Sequence, residues 1–123
     1  MVEAVAQATP WQVSFRAGDH EGSADTRKNG VGGSAGMRPH ELLEAALATC
    51  MTISARMALA DLGVTDAEVS VQVHVEREES ATRFRYRLAL GPALEAHRPA
   101  VMERIECSPV RSTLSKPLTF EPA

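Results

Sequence analysis

Two side chains in this 123-residue chain can act as sulfur nucleophiles, Cys50 and Cys107. A thiolate attacks electrophilic oxygen or sulfur, so these residues are the first place to look for covalent or redox chemistry. Cys50 lies in HELLEAALATCMTIS, residues 40–54, a run that is otherwise almost entirely apolar. On a helix, Leu43, Ala46, Leu47, Ile53, Ser54 and Met57 stand three, four or seven residues away and share its face. Cys50 therefore looks into a core or across an interface. It is either a small space-filling residue or a reagent held in a dry pocket.

Apolar burial disfavours the thiolate and makes a thiol inert, so a reactive Cys50 needs a cation or several donors beside it. Its own helix supplies neither. The helix start is about three turns away, where the dipole has faded, and Arg56 is turned roughly 240° around the axis. The activating group must come from another segment. Arg16, Arg27, Arg38, Arg104 and Arg111 are the candidates, and physics alone does not choose among them. Cys107 sits where one predicted helix ends and another, opened by Pro109, begins. A bent joint of this kind exposes its residues. Alone, it reads equally as an unremarkable thiol.

Other chemistries fare worse. His20, His40, His74 and His97 are scattered, without the paired spacing of a zinc site, so no metal is expected. GVGGSAG is neither a Walker A loop nor a dinucleotide fingerprint, and no other cofactor motif is present. The net charge is −3 with no basic stripe, which argues against a nucleic-acid partner. No uninterrupted apolar stretch reaches the ~18 residues of a membrane span, and the acidic N-terminus does not read as a signal peptide. The expected location is a reducing cytoplasm, where two cysteines distant in sequence stay reduced, catalytic or inert.

The elements that must position the thiols follow from periodicity. Length suits one domain, 1–123, with residues 1–9 as a loose tail. WQVSFR (11–16) alternates as a strand, and a short strand near 22–26 is weakly signalled. Residues 17–37 form a glycine-rich loop region. Pro39 opens a helix that runs to about Leu62, with Glu41 at the positive end of its dipole and Gly63 as its stop. That helix is apolar all round, so it must be covered on both sides. A second copy of the chain, as a homodimer, is the expected cover. EVSVQVHVE (68–76) and FRYRLAL (84–90) alternate perfectly and form a hairpin, with acids on one strand facing arginines on the other. Pro99 opens a second helix, Pro109 a short third, and LTFEP closes as a short strand. The fold class is α+β.

Two of these segments together carry a resemblance. RPHELLEAALATCMTISARMALADLGV is similar to the central helix of the OsmC/Ohr family: Pro, a nearby acid, Leu-Leu, an Ala-rich run, then Cys. ERIECSPVRSTL resembles its second motif, a helix ending in Cys followed by Pro-Val and a polar turn toward Leu. The resemblance covers residues 36–115 and fits the OsmC-like branch, since His40 directly follows the Pro and Glu41 comes one position later.

It implies an intertwined α+β homodimer with a long buried central helix and antiparallel sheets. It also implies a cysteine-based peroxidase acting on organic hydroperoxides. Cys50 would be the attacking thiolate and Cys107 the resolving thiol, reset by an external dithiol or lipoyl-type reductant. Glu41 and an arginine from the N-terminal region, Arg16 or Arg27, would complete the site. The rival reading keeps the dimer and makes it a non-catalytic binder of a small hydrophobic ligand at the subunit interface.

Overall fold

The computed structural model describes residues 1–66 and 68–123. The chain divides into two compact units, Met1–Leu43 and Glu44–Ala123.

In the first unit, β1 (Glu3–Ala6), β2 (Val13–Ala17) and β3 (His20–Ala24) form an antiparallel sheet in that order. Residues 3–6, read from sequence as tail, are thus a strand paired with β2. Their alternation is hidden because every one of them is exposed. Trp11 belongs to the turn before β2 rather than to the strand, with φ +70, while the Gln12 N–H bonds the Thr9 carbonyl at 3.2 Å. Two-residue strands β4 (Arg27–Lys28) and β5 (Val31–Gly32) pair inside the glycine-rich region. Gly32 has φ +101, and a Cβ there would stand 1.9 Å from the Thr26 carbonyl oxygen, so only glycine fits.

The long helix α1 (Pro39–Asp61) begins in the first unit and runs through the second. Gly63, at φ +82, gives its N–H to the Ala60 carbonyl and ends it in the left-handed conformation. By length and mean hydropathy, 1.4, α1 is apolar enough to cross a membrane. Its Leu47, Met51, Ala55, Ala58 and Leu59 are nonetheless buried in a protein core. That core is completed by Val71 of β6 (Val69–Arg77), Leu88 of β7 (Thr82–Leu90), and Val101 and Ile105 of α2 (Arg98–Glu106). Leu59 is fully buried, and Leu59→Ala is expected to cost about 2–5 kcal/mol in a denaturant titration. A loss under 1 kcal/mol would mean that this helix face is not the core.

The β6–β7 hairpin has the expected register, with Val73 opposite Tyr86 and Glu76 opposite Arg83. On its wet face Arg85 Nε meets Glu76 Oε1 at 2.8 Å, and Arg83 pairs with Glu78. Arg85 thus pairs across the strands and Arg83 with the turn that joins them. A 3₁₀ turn over Pro92–His97 leads into α2, and α3 (Pro109–Leu114) follows. LTFEP has no regular structure, and Phe120 is exposed. Prolines at 117 and 122 bracket it and remove ladder donors. The architecture is α+β with antiparallel sheets, as the sequence leads one to expect.

Candidate functional site

Cys50 occupies the middle of α1, half-buried, between buried Leu47 and Met51 on one side and exposed Ile53 and Met57 on the other. Its sulfur has a polar neighbour. The Val110 N–H at the start of α3 donates to Cys50 Sγ at 3.4 Å. The sulfur thus has one hydrogen-bond donor within an otherwise apolar setting. Close by, Leu47, Met51, Phe84, Tyr86, Arg111 and Leu114 line a cavity of about 210 Å³.

Cys107 is a free, exposed thiol at the C-cap of α2. It lines a different cavity, of about 370 Å³, with Ala58, Asp61, Leu62 and Arg104. Arg104 Nη1 bonds Asp61 Oδ2 at 3.0 Å, and Arg111 Nη1 bonds the Glu106 carbonyl at 2.6 Å. Both candidate arginines of this unit thus hold other partners.

The other site candidates lie in the first unit. Arg16 pairs with Glu21 at 4.0 Å on an exposed strand, and Arg27 sits in β4, where its charge acts on Asp25. Glu41 Oε1 accepts the Arg38 N–H at 2.9 Å. That is the reach-back half of a capping box, so the carboxylate holds the helix start.

Two polar residues that sequence reasoning passed over are structurally busy. Glu44 interrupts the apolar run of α1. It accepts the Val75 N–H at 2.8 Å and stands 3.3 Å from His74 Nδ1, covering an unpaired edge of β6. An acid set between Leu43 and Ala45 in the apolar run was the available signal. Asp25 is 2 % exposed. It accepts the Thr26 N–H at 2.8 Å and the Ala35 N–H at 3.0 Å, pinning both ends of the glycine-rich loop. Nothing in the sequence marks it, because its partners are backbone groups, one adjacent and one ten residues on.

Those bonds, the one from Ala35 foremost, hold the Asp25 carboxyl below the usual carboxylate range. A depressed folded-state pKa contributes stability that is complete above the unfolded value, about 3.9, and is lost as pH falls through the lower folded value. Asp25→Asn is expected to lower Tm by several degrees at pH 7 and to flatten the fall in Tm below about pH 4. Unchanged melting at both pH values would show that the loop does not depend on this charge.

A family model described as OsmC-like protein matches residues 31–123. The chain belongs to the OsmC-like family. No curated protein matches it. Among solved structures it is similar to an OsmC-like protein of Mycoplasma pneumoniae, with TM-score 0.70 and 14% identity over 93% of this chain and 85% of that one. It is also similar to a Psychrobacter arcticus protein named for osmotic stress induction and a detoxification response, with TM-score 0.75 and 16% identity over 91% and 85% of the two chains. The organic hydroperoxide resistance protein OhrB of Bacillus subtilis aligns with TM-score 0.59 and 17% identity over 94% of this chain and 89% of that one. At these identities the likeness shows a shared fold.

Proposed function

We propose that this chain is a thiol-dependent peroxidase that reduces organic hydroperoxides at Cys50. The observation that carries the reading is the Cys50 sulfur itself, set among apolar side chains yet holding the Val110 N–H. The names of its structural neighbours, which include organic hydroperoxide resistance, point the same way.

The thiolate attacks the outer peroxide oxygen, a sulfur–oxygen bond forms as the O–O bond breaks, and the alkoxide leaves as an alcohol after taking a proton. Cys50 becomes a sulfenic acid, and thiol reductant returns it to the thiol. Apolar neighbours suit an alkyl peroxide better than hydrogen peroxide. Arg16 or Arg27 is the proposed source of positive charge, while Glu41 serves the helix start. A reducing compartment such as the cytoplasm suits two free thiols.

We further propose that the working form is a homodimer. Ala46, Thr49, Ile53, Met57 and Ala60 form an exposed, largely apolar stripe on α1, and Cys50 borders it. A partner covering this stripe would close the site against water.

The binder reading rests on the cavity of about 210 Å³ lined by Leu47, Met51, Phe84 and Tyr86. Thiol titration after one equivalent of cumene hydroperoxide separates the two. Rapid thiol loss is expected for the enzyme. Intact thiols after an hour, with thermal stabilisation by apolar ligands, would leave the binder.

A further inference from the structure

The start of α3 is capped in an unusual way. Ser108 is its N-cap, Pro109 the first helical residue and Val110 the second. An N-cap serine ordinarily turns its hydroxyl to the N–H of the second or third helical residue. Here that N–H from Val110 goes to Cys50 Sγ, and Ser108 makes no side-chain cap bond. Ser108 Oγ is buried, in a residue 1 % exposed, and has no hydrogen-bond partner among the described residues. An orphaned buried hydroxyl is costly, so its retention calls for a reason. The sulfur thus takes the donor that an N-cap serine would hold, so Ser108 is two residues from the N–H that meets Cys50 Sγ.

Cys107 is one residue earlier and is exposed. Its cavity wall is formed by Ala58 and Asp61 of α1 and by Leu62 just past its end. Ala58 follows Cys50 by eight residues, or about 12 Å along the helix axis. A disulfide needs Cβ atoms within about 4.5 Å of each other. The thiol of the 107–110 segment therefore faces a stretch of chain about two turns beyond Cys50, while the buried Ser108 hydroxyl belongs to the residue two before the Val110 that meets the Cys50 sulfur.

We propose that Ser108 occupies the place beside Cys50 that a resolving cysteine would need, so that oxidised Cys50 is resolved by an external thiol and Cys107 stands apart. The redox step rests on the peroxidase reading; the placement of Ser108 does not. The sulfenic acid of Cys50 is attacked by a small external thiol, forming a mixed disulfide and releasing water. A second external thiol displaces Cys50 as a thiol, leaving the reductant as its own disulfide. Until then the spare Ser108 hydroxyl donates to the oxygen that the sulfur has gained.

Two arms test this. The first uses diamide, which oxidises neighbouring thiols without any peroxidase activity, followed by non-reducing peptide mass spectrometry. The native chain is expected to form no intrachain Cys50–Cys107 disulfide. The double variant Cys107→Ser/Ser108→Cys is expected to lose both thiols to an intrachain disulfide. A Cys50–Cys107 bridge in the native chain, or none in the double variant, overturns the placement.

The second arm adds one equivalent of cumene hydroperoxide with dimedone. Dimedone labelling of Cys50 is expected, with Cys107 still open to alkylation. In Ser108→Ala the sulfenic acid should over-oxidise to the sulfinic form several-fold faster. Loss of both thiols to a shared bridge overturns the inference and leaves the peroxidase standing. No reaction at Cys50 sinks the peroxidase and the redox step, while the diamide result still judges the placement.

Discussion

Cys50→Ser is expected to abolish consumption of alkyl hydroperoxide, by about 10³-fold or more in kcat/KM, because a serine hydroxyl at neutral pH is a far weaker nucleophile than a thiolate. Serine keeps nearly the same volume in a half-buried position, and its oxygen can accept the Val110 N–H that the sulfur accepts at 3.4 Å. The variant should therefore fold and melt close to the native chain, which makes its activity a clean readout. The measurement is peroxide decay with a dithiol reductant in excess. Activity within a few-fold of native would remove Cys50 from the chemistry. The α1 thiol would then revert to a packing residue, and the cavity lined by Leu47, Met51, Phe84 and Tyr86 would become the better guide to function.

The second large effect concerns the uncovered face of α1. Ile53 and Met57 are 56% and 52% exposed, one helical turn apart. Apolar side chains of this size left in water on a long helix signal a partner surface. Ile53→Glu/Met57→Glu is expected to convert a dimer to a monomer by sedimentation at micromolar concentration, since burying two unpaired carboxylates in a small interface costs several kcal/mol. Both residues point away from the core of their own unit, so the monomer should keep its helix content. Peroxide decay should fall with the dimer, because Cys50 borders the same stripe. A native chain that sediments as a monomer, or a variant that stays dimeric, would show that another surface, or none, covers this helix.

Much of the fold was legible. Proline at 39 and glycine at 63 bracket α1 because each suits one helix end and opposes the interior. Strict alternation over 68–76 and 84–90 made the β6–β7 hairpin plain, with Glu76 facing Arg83. The N-terminal strand β1 was not legible, since no face of it is buried and pairing alone leaves no hydrophobic trace. Asp25 escaped for a related reason: backbone donors have no sequence signature. Among the site candidates, the α1 thiol was conspicuous for its setting. Its donor was not, because a backbone N–H sixty residues on in the chain is not a residue type.

Residue order alone determined that this chain would hold one long apolar helix carrying a cysteine, a charged antiparallel hairpin and a second cysteine at a helix joint. Periodicity and the stereochemistry of proline and glycine are local, so they survive without a partner. Which way the joint turns is not local. Between Cys107 and Pro109 a single residue reverses the side-chain direction, and only the packing of α3 against α1 decided that Ser108 is buried while Cys107 meets solvent. Contacts between distant segments are set by the shape they fill together, which no single stretch of sequence encodes.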